Sequence, residues 1–289
     1  LSEIQQTHQK DPNQNALDLV RRKYIKKVQE KSKRNVIAYY SGWLQKPGAA
    51  DTAVNDKDKS GFMLTVHKLD KSKGLDLILH TPGGDIAATE SLVDYLYSIF
   101  NKNIRVIVPQ ISMSAGTMIA LSSREIVMGK HSNLGPIDPQ MGGLACQAIV
   151  DEFEQAKRDI KANPHAAALW QVIIGKYHPT LLGWSEIMVE SWLKYNMCSR
   201  DINKVDLILK TFTDHKKQKS HSRHISKKMC EEVGLNISSL EDDKEFQDYV
   251  LTTHHAFMHT FANTAAVKII ENHNGVAFIE QAVLQQKPK

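Results

Sequence analysis

Two short runs of apolar residues, each closed by turn residues, stand out in the first half of the chain. LDLILHT covers residues 75–81 and stops at Pro-Gly-Gly, and IRVIVPQ covers residues 104–110 and continues into ISMSAG. Continuous apolar runs of this length are typical of strands that are buried on both faces of a parallel sheet. The β-branched and aromatic stretch at 35–43 and the short EIVMG at 125–129 predict two further strands.

The segments between these strands carry helical patterns. The predicted helix after Pro-Gly-Gly has one apolar side, formed by Ile86, Leu92, Val93, Leu96 and Ile99. A shorter helix is predicted at 115–122, directly after ISMS. The order strand, Pro-Gly-Gly, helix, strand, Ser, helix, strand implies right-handed crossovers, and therefore an α/β fold with a parallel sheet.

The two ends of the chain are predicted to be helical. Residues 1–34 form a basic amphipathic segment, whose apolar stripe is Leu17, Val20, Tyr24, Ile25 and Val28. We interpret it as a helix that docks on the main domain, with self-association or contact with a membrane surface as alternatives. The main domain is predicted at 35–200, followed by a helical C-terminal extension at 201–289 that includes a long helical pattern from Asp243 to Ile270.

Composition indicates a soluble globular protein and excludes several classes. Of the 289 residues 42% are hydrophobic and 24% are charged, and no apolar run approaches the ~18 residues that a membrane span needs. The first fifteen residues lack the apolar centre of a signal peptide, and the three cysteines show no CxxC spacing, so we expect a cytoplasmic protein with reduced thiols. The net charge of +5 is too small to argue for binding to nucleic acid.

Ser114 is the first candidate for chemistry. A serine hydroxyl becomes a useful nucleophile when it is exposed, when a base takes its proton and when N–H groups stabilise the oxyanion. Ser114 lies between a predicted strand and a predicted helix, so it reaches the carboxyl edge of the sheet, where open α/β sheets bind ligands. The helix N-terminus adds free N–H groups and positive potential. The alternative is that Ser114 only caps the helix.

The sequence HTPGGD at 80–85 supplies the second part of a site. Gly83 and Gly84 allow positive φ and present unshielded N–H groups, whereas the lysine of a phosphate-binding P-loop is absent. Both loops follow parallel strands and reach the same edge. We therefore expect the N–H groups of Gly84 and Ala115 to form an oxyanion hole beside Ser114.

The combination of HTPGGD, SMSAGTMIAL and EIVMGKHSNLGPIDPQ resembles the Clp-fold serine proteinases of the serine dehydrogenase proteinase family. That family is related to the signal peptide peptidases SppA and NfeD and more distantly to ClpP. The resemblance covers about residues 35–140 closely. It implies a ClpP/crotonase-like repeated ββα superhelix, a serine peptidase with Ser114 as nucleophile, a peptide or protein substrate, a homo-oligomer, and no metal or organic cofactor. Ser112 is a second candidate nucleophile, but Ala-Gly-Thr follows Ser114.

The resemblance leaves the general base open. ClpP-like enzymes use a histidine at a position that corresponds to about Ile137, beside Asp138, and this chain has none there. SppA- and NfeD-like enzymes use a lysine further along the chain. Lys157 is our first choice and forms the predicted Ser-Lys dyad; a lysine can act as base when desolvation lowers its pKa. Its alternative is a solvated ion pair with Glu154, and the remaining candidates for the base are Lys161, Lys130 and His131.

Two rival functions remain on the sequence alone. A crotonase-like acyl-CoA enzyme shares the fold and the paired N–H groups but needs no serine nucleophile. A non-catalytic protein with a ClpP-like fold would use its basic segments to bind an acidic partner.

Overall fold

The protein is described by a computed structural model that covers residues 2–10, 15–141, 144–167, 170, 184–213 and 222–282. Its strands are β1 (Asn35–Ser41), β2 (Leu75–His80), β3 (Ile104–Val108), β4 (Ile111–Ser112), β5 (Glu125–Met128), β6 (Asn133–Leu134), β7 (Gln140–Met141), β8 (Leu144–Ala145), β9 (Ile225–Ser226), β10 (Ile237–Ser239), β11 (Ala266–Asn272) and β12 (Ala277–Gln281). Its α-helices are α1 (Ser2–Lys10), α2 (Ala16–Ser32), α3 (Lys57–Val66), α4 (Ile86–Phe100), α5 (Ala115–Ser122), α6 (Cys146–Ala162), α7 (Trp184–Tyr195), α8 (Val205–Thr213), α9 (Lys227–Glu232) and α10 (Lys244–Asn263).

The main sheet has the strand order β10-β5-β3-β2-β1-β11-β12. The strands from β10 to β1 are parallel, and β11 and β12 are antiparallel to their neighbours. The central strands are those that the apolar runs predict, with Leu77 opposite Val106 and Val106 opposite Ile126. The predicted α/β fold with a mostly parallel sheet is therefore confirmed, whereas the repeated ββα superhelix stays a prediction.

Both faces of this sheet are buried. Ile37 and Tyr39 of β1 belong to one core, which α3, α4, α5, α7 and α8 cover. Val36, Ala38 and Tyr40 point into the second core, under α2 and α10. Because successive residues of a strand face opposite sides, a strand between two cores needs apolar residues at every position.

The helix α2 lies on α10 through the apolar stripe of the N-terminal segment. Val20, Ile25 and Val28 are buried, in agreement with our interpretation of a docking helix. Arg21, from the basic side of the pattern, is also buried, where its guanidinium donates to Glu271 and to the Thr260 hydroxyl. Among the described residues, no helix is both long enough and apolar enough to span a membrane.

The C-terminal part differs from the helical prediction. The helix α10 ends at Asn263, and β11 and β12 follow it, so the helical prediction is wrong for residues 266–281. Val267, Ile269 and Ile270 are fully buried in β11, which pairs with β1. Pairing with a strand far away in sequence overrides the local helical pattern, because β-branched residues pack well on a pleated surface.

Candidate active site

Ser114 stands at a sharp turn between the strand segment at 111–112 and α5. Its backbone has φ 50° and ψ −118°, on the positive side of φ where residues with a Cβ are uncommon. Although Ser114 occupies the N-cap position, its side chain makes no capping hydrogen bond. The alternative of a simple capping serine therefore does not hold, since a capping hydroxyl accepts from the first turn of the helix.

The loops after β2 and β3 lie directly side by side. Thr81 and Ser112 form a parallel bridge, and the N–H of Met113 donates to the carbonyl of Thr81 at 3.0 Å. Gly83, with φ +94°, lies so close to the serine turn that a Cβ on it would stand 2.6 Å from the Cβ of Ser114. The glycine is therefore required both by its backbone conformation and by the approach of Ser114.

Gly84 is held from its other side by a segment that no sequence pattern indicated. Val54 donates to the carbonyl of Gly83 at 2.7 Å and accepts from the N–H of Asp85 at 2.9 Å. This parallel bridge leaves the N–H of Gly84 unused. Within the described residues, neither this N–H nor that of Ala115 donates a backbone hydrogen bond. The two groups that were predicted to bind an oxyanion are thus free of backbone acceptors.

Ser114, Gly83 and Gly84 line one cavity of about 430 Å³. Its walls are partly apolar, with Met118, Ile137 and Trp184, and partly polar, with Asp138 and Gln140. A cavity of this size lies in the range of small-molecule and side-chain pockets, which combine apolar walls with a few polar groups. No sequence pattern indicated Trp184, which reaches the cavity through the packing of α7.

Thr117 fastens the serine turn to the loop before Ile137, and the sequence analysis missed it. Its hydroxyl donates to the carbonyl of Ser112 at 2.9 Å and accepts from the N–H of Gly135 at 2.9 Å. The signal was a hydroxyl in the otherwise apolar helix AGTMIAL, because a buried polar group needs hydrogen-bond partners.

Ser112 has a different environment from Ser114. It is fully buried, its Oγ has no hydrogen-bond partner among the described residues, and Gly116 lies directly against that oxygen. Ser114 is half-buried and lines the cavity. A nucleophile must reach its substrate, so this geometry favours Ser114 of the two.

The structure does not bring the predicted bases to the cavity lining. The side chain of Lys157 is 70% exposed, and its Nζ lies 2.6 Å from Glu154. Lys161 and Lys130 are also exposed, and the His131 ring contacts the carbonyl of Pro109 at 2.9 Å. None of these four residues lines the cavity that contains Ser114. The role of Lys157 as base stays a prediction.

Asp138 is the buried titratable side chain that does line this cavity. It is 5% exposed, and its Oδ2 accepts from the side-chain amide of Gln140 at 2.7 Å. Asp85 lines the cavity too, but it is exposed and caps α4 by accepting from the N–H of Ala88. Asp138 therefore joins the candidate proton acceptors, on its position in the fold.

The cysteines are poor rivals to Ser114. Cys146, Cys198 and Cys230 are free and buried. Burial raises the pKa of the Cys230 thiol to about 12, and burial together with the Asp138 carboxylate raises the pKa of the Cys146 thiol. A thiol with a raised pKa stays protonated at neutral pH, whereas the thiolate is the nucleophile.

Comparison with known proteins identifies the family of this chain. Two curated relatives, both uncharacterized proteins of Methanocaldococcus jannaschii, are 38% identical over 103 residues and 34% identical over 97 residues. These matches cover 36% and 34% of this chain, and 36% and 33% of the relatives, so the chain spans about a third of the length of each. The model of the ClpP-like SDH-type serine proteinases matches residues 9–173, more than half of the chain. The chain therefore belongs to the family of ClpP-like SDH-type serine proteinases.

Proposed function

We propose that this protein is a serine peptidase that hydrolyses peptide bonds through an acyl-enzyme on Ser114. One observation carries the proposal: the Ser114 side chain, which makes no capping bond at a positive-φ turn, shares a cavity with Gly83 and Gly84. A strained turn at the mouth of a cavity is typical of functional positions. Family membership supports a serine proteinase in general.

The proposed reaction has two displacements. The Ser114 Oγ attacks the substrate carbonyl carbon, its proton passes to the base and then to the departing amine, and the peptide C–N bond breaks. A water molecule loses a proton to the same base and attacks the resulting ester. The base then returns this proton to the Ser114 Oγ as the ester C–O bond breaks, which releases the carboxylic acid and restores Ser114. The N–H groups of Gly84 and Ala115 donate to the oxyanion in both steps, which is where such donors contribute most to the rate.

Lys157 and Asp138 are the two candidates for the general base in this mechanism. A lysine requires desolvation to accept a proton at neutral pH, and Lys157 has most of its side chain in solvent beside Glu154. Asp138 lies in the cavity itself. The two candidates predict opposite results, since only substitution of the true base should slow the reaction. Each side chain can be replaced by a neutral one without changing the turn that carries Ser114.

A fluorophosphonate probe tests the nucleophile. We expect the wild-type chain to be labelled, Ser114→Ala to lose the label, and the matched control Ser112→Ala to keep it, since Ser112 is walled off from the cavity. Mass spectrometry of the labelled peptide identifies the modified oxygen. Labelling that survives Ser114→Ala, or turnover of an acyl-CoA by that variant, would overturn the proposal.

A second set of variants tests the base. We expect Lys157→Met to slow labelling by roughly 10²–10⁴-fold if the predicted dyad holds, while its neighbour Lys161→Met, also exposed, stays near the wild type. If Lys157→Met is labelled at the wild-type rate and Asp138→Asn loses labelling, Lys157 is excluded as the base and Asp138 takes that role.

Assembly as a homo-oligomer is a separate proposal. Light scattering of the purified chain tests it by measuring the mass of the particle in solution.

A further inference from the structure

A second cavity lies at the opposite edge of the sheet from Ser114. Its volume is about 390 Å³, and it is lined by residues that directly precede the parallel strands and by residues at the end of α7 and in the loop after it. Lys102 and Asn103 come before β3, Arg124 comes before β5, and Asn236 comes before β10. We call it the N-edge cavity. It shares no lining residue with the cavity of Ser114.

The N-edge cavity is cationic. Lys102, Arg124 and Arg200 line it, and no carboxylate is among its lining residues. In the ranges that the structure describes, these three cations have no acidic side chain within ion-pair distance. Three like charges around one concave surface repel one another and create a positive potential, which an anion would relieve.

In the adjoining groove, two arginines form ion pairs with a carboxylate of the protein itself. It shares Asn103, Arg124 and Asn236 with the N-edge cavity. It adds Arg34 and Arg105, together with Ile104 and Glu125. Both added guanidinium groups bind the buried carboxylate of Asp76, at 2.6 Å and 2.7 Å. Arg34 and Arg105 thus share one internal carboxylate, whereas Arg124 and Arg200 have no acidic side chain within ion-pair distance among the described residues.

The turn that carries Lys102 is fixed before any ligand arrives. Asn101 and Lys102 both adopt left-handed backbone conformations, with φ 48° and 61°, and the Asn101 N–H donates to the carbonyl of Tyr97 at 2.9 Å. The side-chain amide of Asn196 donates to the carbonyl of Lys102 at 3.4 Å. These bonds hold the turn in place, and a preformed site spends less binding energy on ordering.

An aromatic ring stands beside the charges. Tyr195 is 70% exposed and lines the N-edge cavity. The Lys102 Nζ lies 5.4 Å from the centre of that ring and 5.6 Å from the ring of Tyr97. An exposed aromatic face next to cations can stack on a planar ring of a ligand whose charged end meets the cations.

We propose that the N-edge cavity binds a phosphate-bearing small molecule, with Lys102, Arg124 and Arg200 on the phosphate groups and Tyr195 against an attached planar ring. Guanidinium groups match phosphate oxygens in geometry and charge. The volume lies near the lower end of the range for small-ligand cavities, about 300–1,000 Å³. Tyr195 and Arg200 lie beyond the residues 9–173 that match the family model. The site does not depend on the proposed peptidase activity.

Calorimetric titration of the full chain with sodium pyrophosphate and with ATP tests this proposal. We expect saturable binding of both, with ATP tighter by roughly fivefold because its base can stack. Arg124→Gln combined with Arg200→Gln should weaken pyrophosphate by roughly a hundredfold. The control Lys26→Gln combined with Lys210→Gln removes the same charge from exposed helix positions and should change binding by less than about twofold. Circular dichroism checks that each variant is folded.

Three results would overturn the proposal. The first is the absence of saturable pyrophosphate binding to the wild-type chain. The second is equal weakening by the two double variants, which would indicate attraction by net charge alone. The third is saturable binding of a poly-glutamate peptide without binding of pyrophosphate, which would identify an acidic protein segment as the occupant. Tyr195→Ala should weaken ATP and leave pyrophosphate unchanged; equal affinity of that variant and the wild type for ATP would refute the role of the ring.

Discussion

The close approach of Gly83 to the turn of Ser114 predicts a specific response to a methyl group at Gly83. Alanine there must keep φ near +94°, a conformation that costs an L-residue about 1–2 kcal/mol. Its Cβ would also lie 2.6 Å from the Met113 carbonyl oxygen and from the Ser114 Cβ, whereas ordinary contact begins at 3.4 Å. These atoms belong to the backbone or are fixed to it, so they cannot rotate away.

The size of the effect follows from this overlap. The serine turn must recede by about 0.8 Å to reach ordinary contact, and overpacking of this kind costs about 1–3 kcal/mol. We therefore expect Gly83→Ala to lower the free energy of unfolding by about 2–5 kcal/mol in total. A displacement near 1 Å at a reacting group slows a reaction by about 10²-fold, so fluorophosphonate labelling should fall by that factor.

Gly48 provides the matched control. It also has positive φ, +79°, but a Cβ there meets nothing within 4 Å. Gly48→Ala should therefore lose only the conformational part, about 1–2 kcal/mol, and label at the wild-type rate. Urea unfolding and labelling kinetics measure both variants. If Gly83→Ala matched Gly48→Ala in stability and in labelling, a tight contact between Gly83 and Ser114 would be refuted.

Three further outcomes follow from buried polar groups. Lys268 is fully buried, and its Nζ lies 2.7 Å from Asp58 and 3.4 Å from Glu280. Replacement of Lys268 by Met should lower the free energy of unfolding by about 3–5 kcal/mol. Urea unfolding measures this loss, and a value below about 1 kcal/mol would contradict the prediction. Thr117→Val should lower the free energy of unfolding by about 1–3 kcal/mol and should slow labelling, whereas Thr117→Ser should retain both properties. Equal behaviour of the two variants would exclude a role for the Thr117 hydroxyl between Ser112 and Gly135. Burial, with smaller contributions from His255 and His131, lowers the pKa of His254 to about 3. Because the unfolded histidine takes up its proton near pH 6.5, the wild type should lose about 2 kcal/mol between pH 7 and pH 5 through this group, and His254→Leu should lack that loss; identical pH dependence of the two proteins would speak against it.

The sequence alone determined the central elements and the position of Ser114 at the edge of the sheet. A strand between two cores must be apolar at every position, and this leaves a local signature at 75–81 and 104–110. A glycine pair and a serine directly after such strands must meet at one edge, because parallel strands end on the same side. The sequence therefore predicts that Gly83, Gly84 and Ser114 lie close together, and in the structure they line the same cavity.

Only the tertiary structure decided which distant segments complete the sheet and the cavity. β11 joins β1 across more than two hundred residues, Val54 holds the loop of Gly84, and Trp184 and Asp138 form part of the cavity wall, while Lys157 lies in solvent. Such contacts produce no repeating pattern of apolar residues in the sequence. They depend on how whole helices and strands pack against one another, not on the spacing of residues within one helix or strand. Local patterns determine what a segment becomes, whereas its distant partners are selected by the burial that the whole chain achieves.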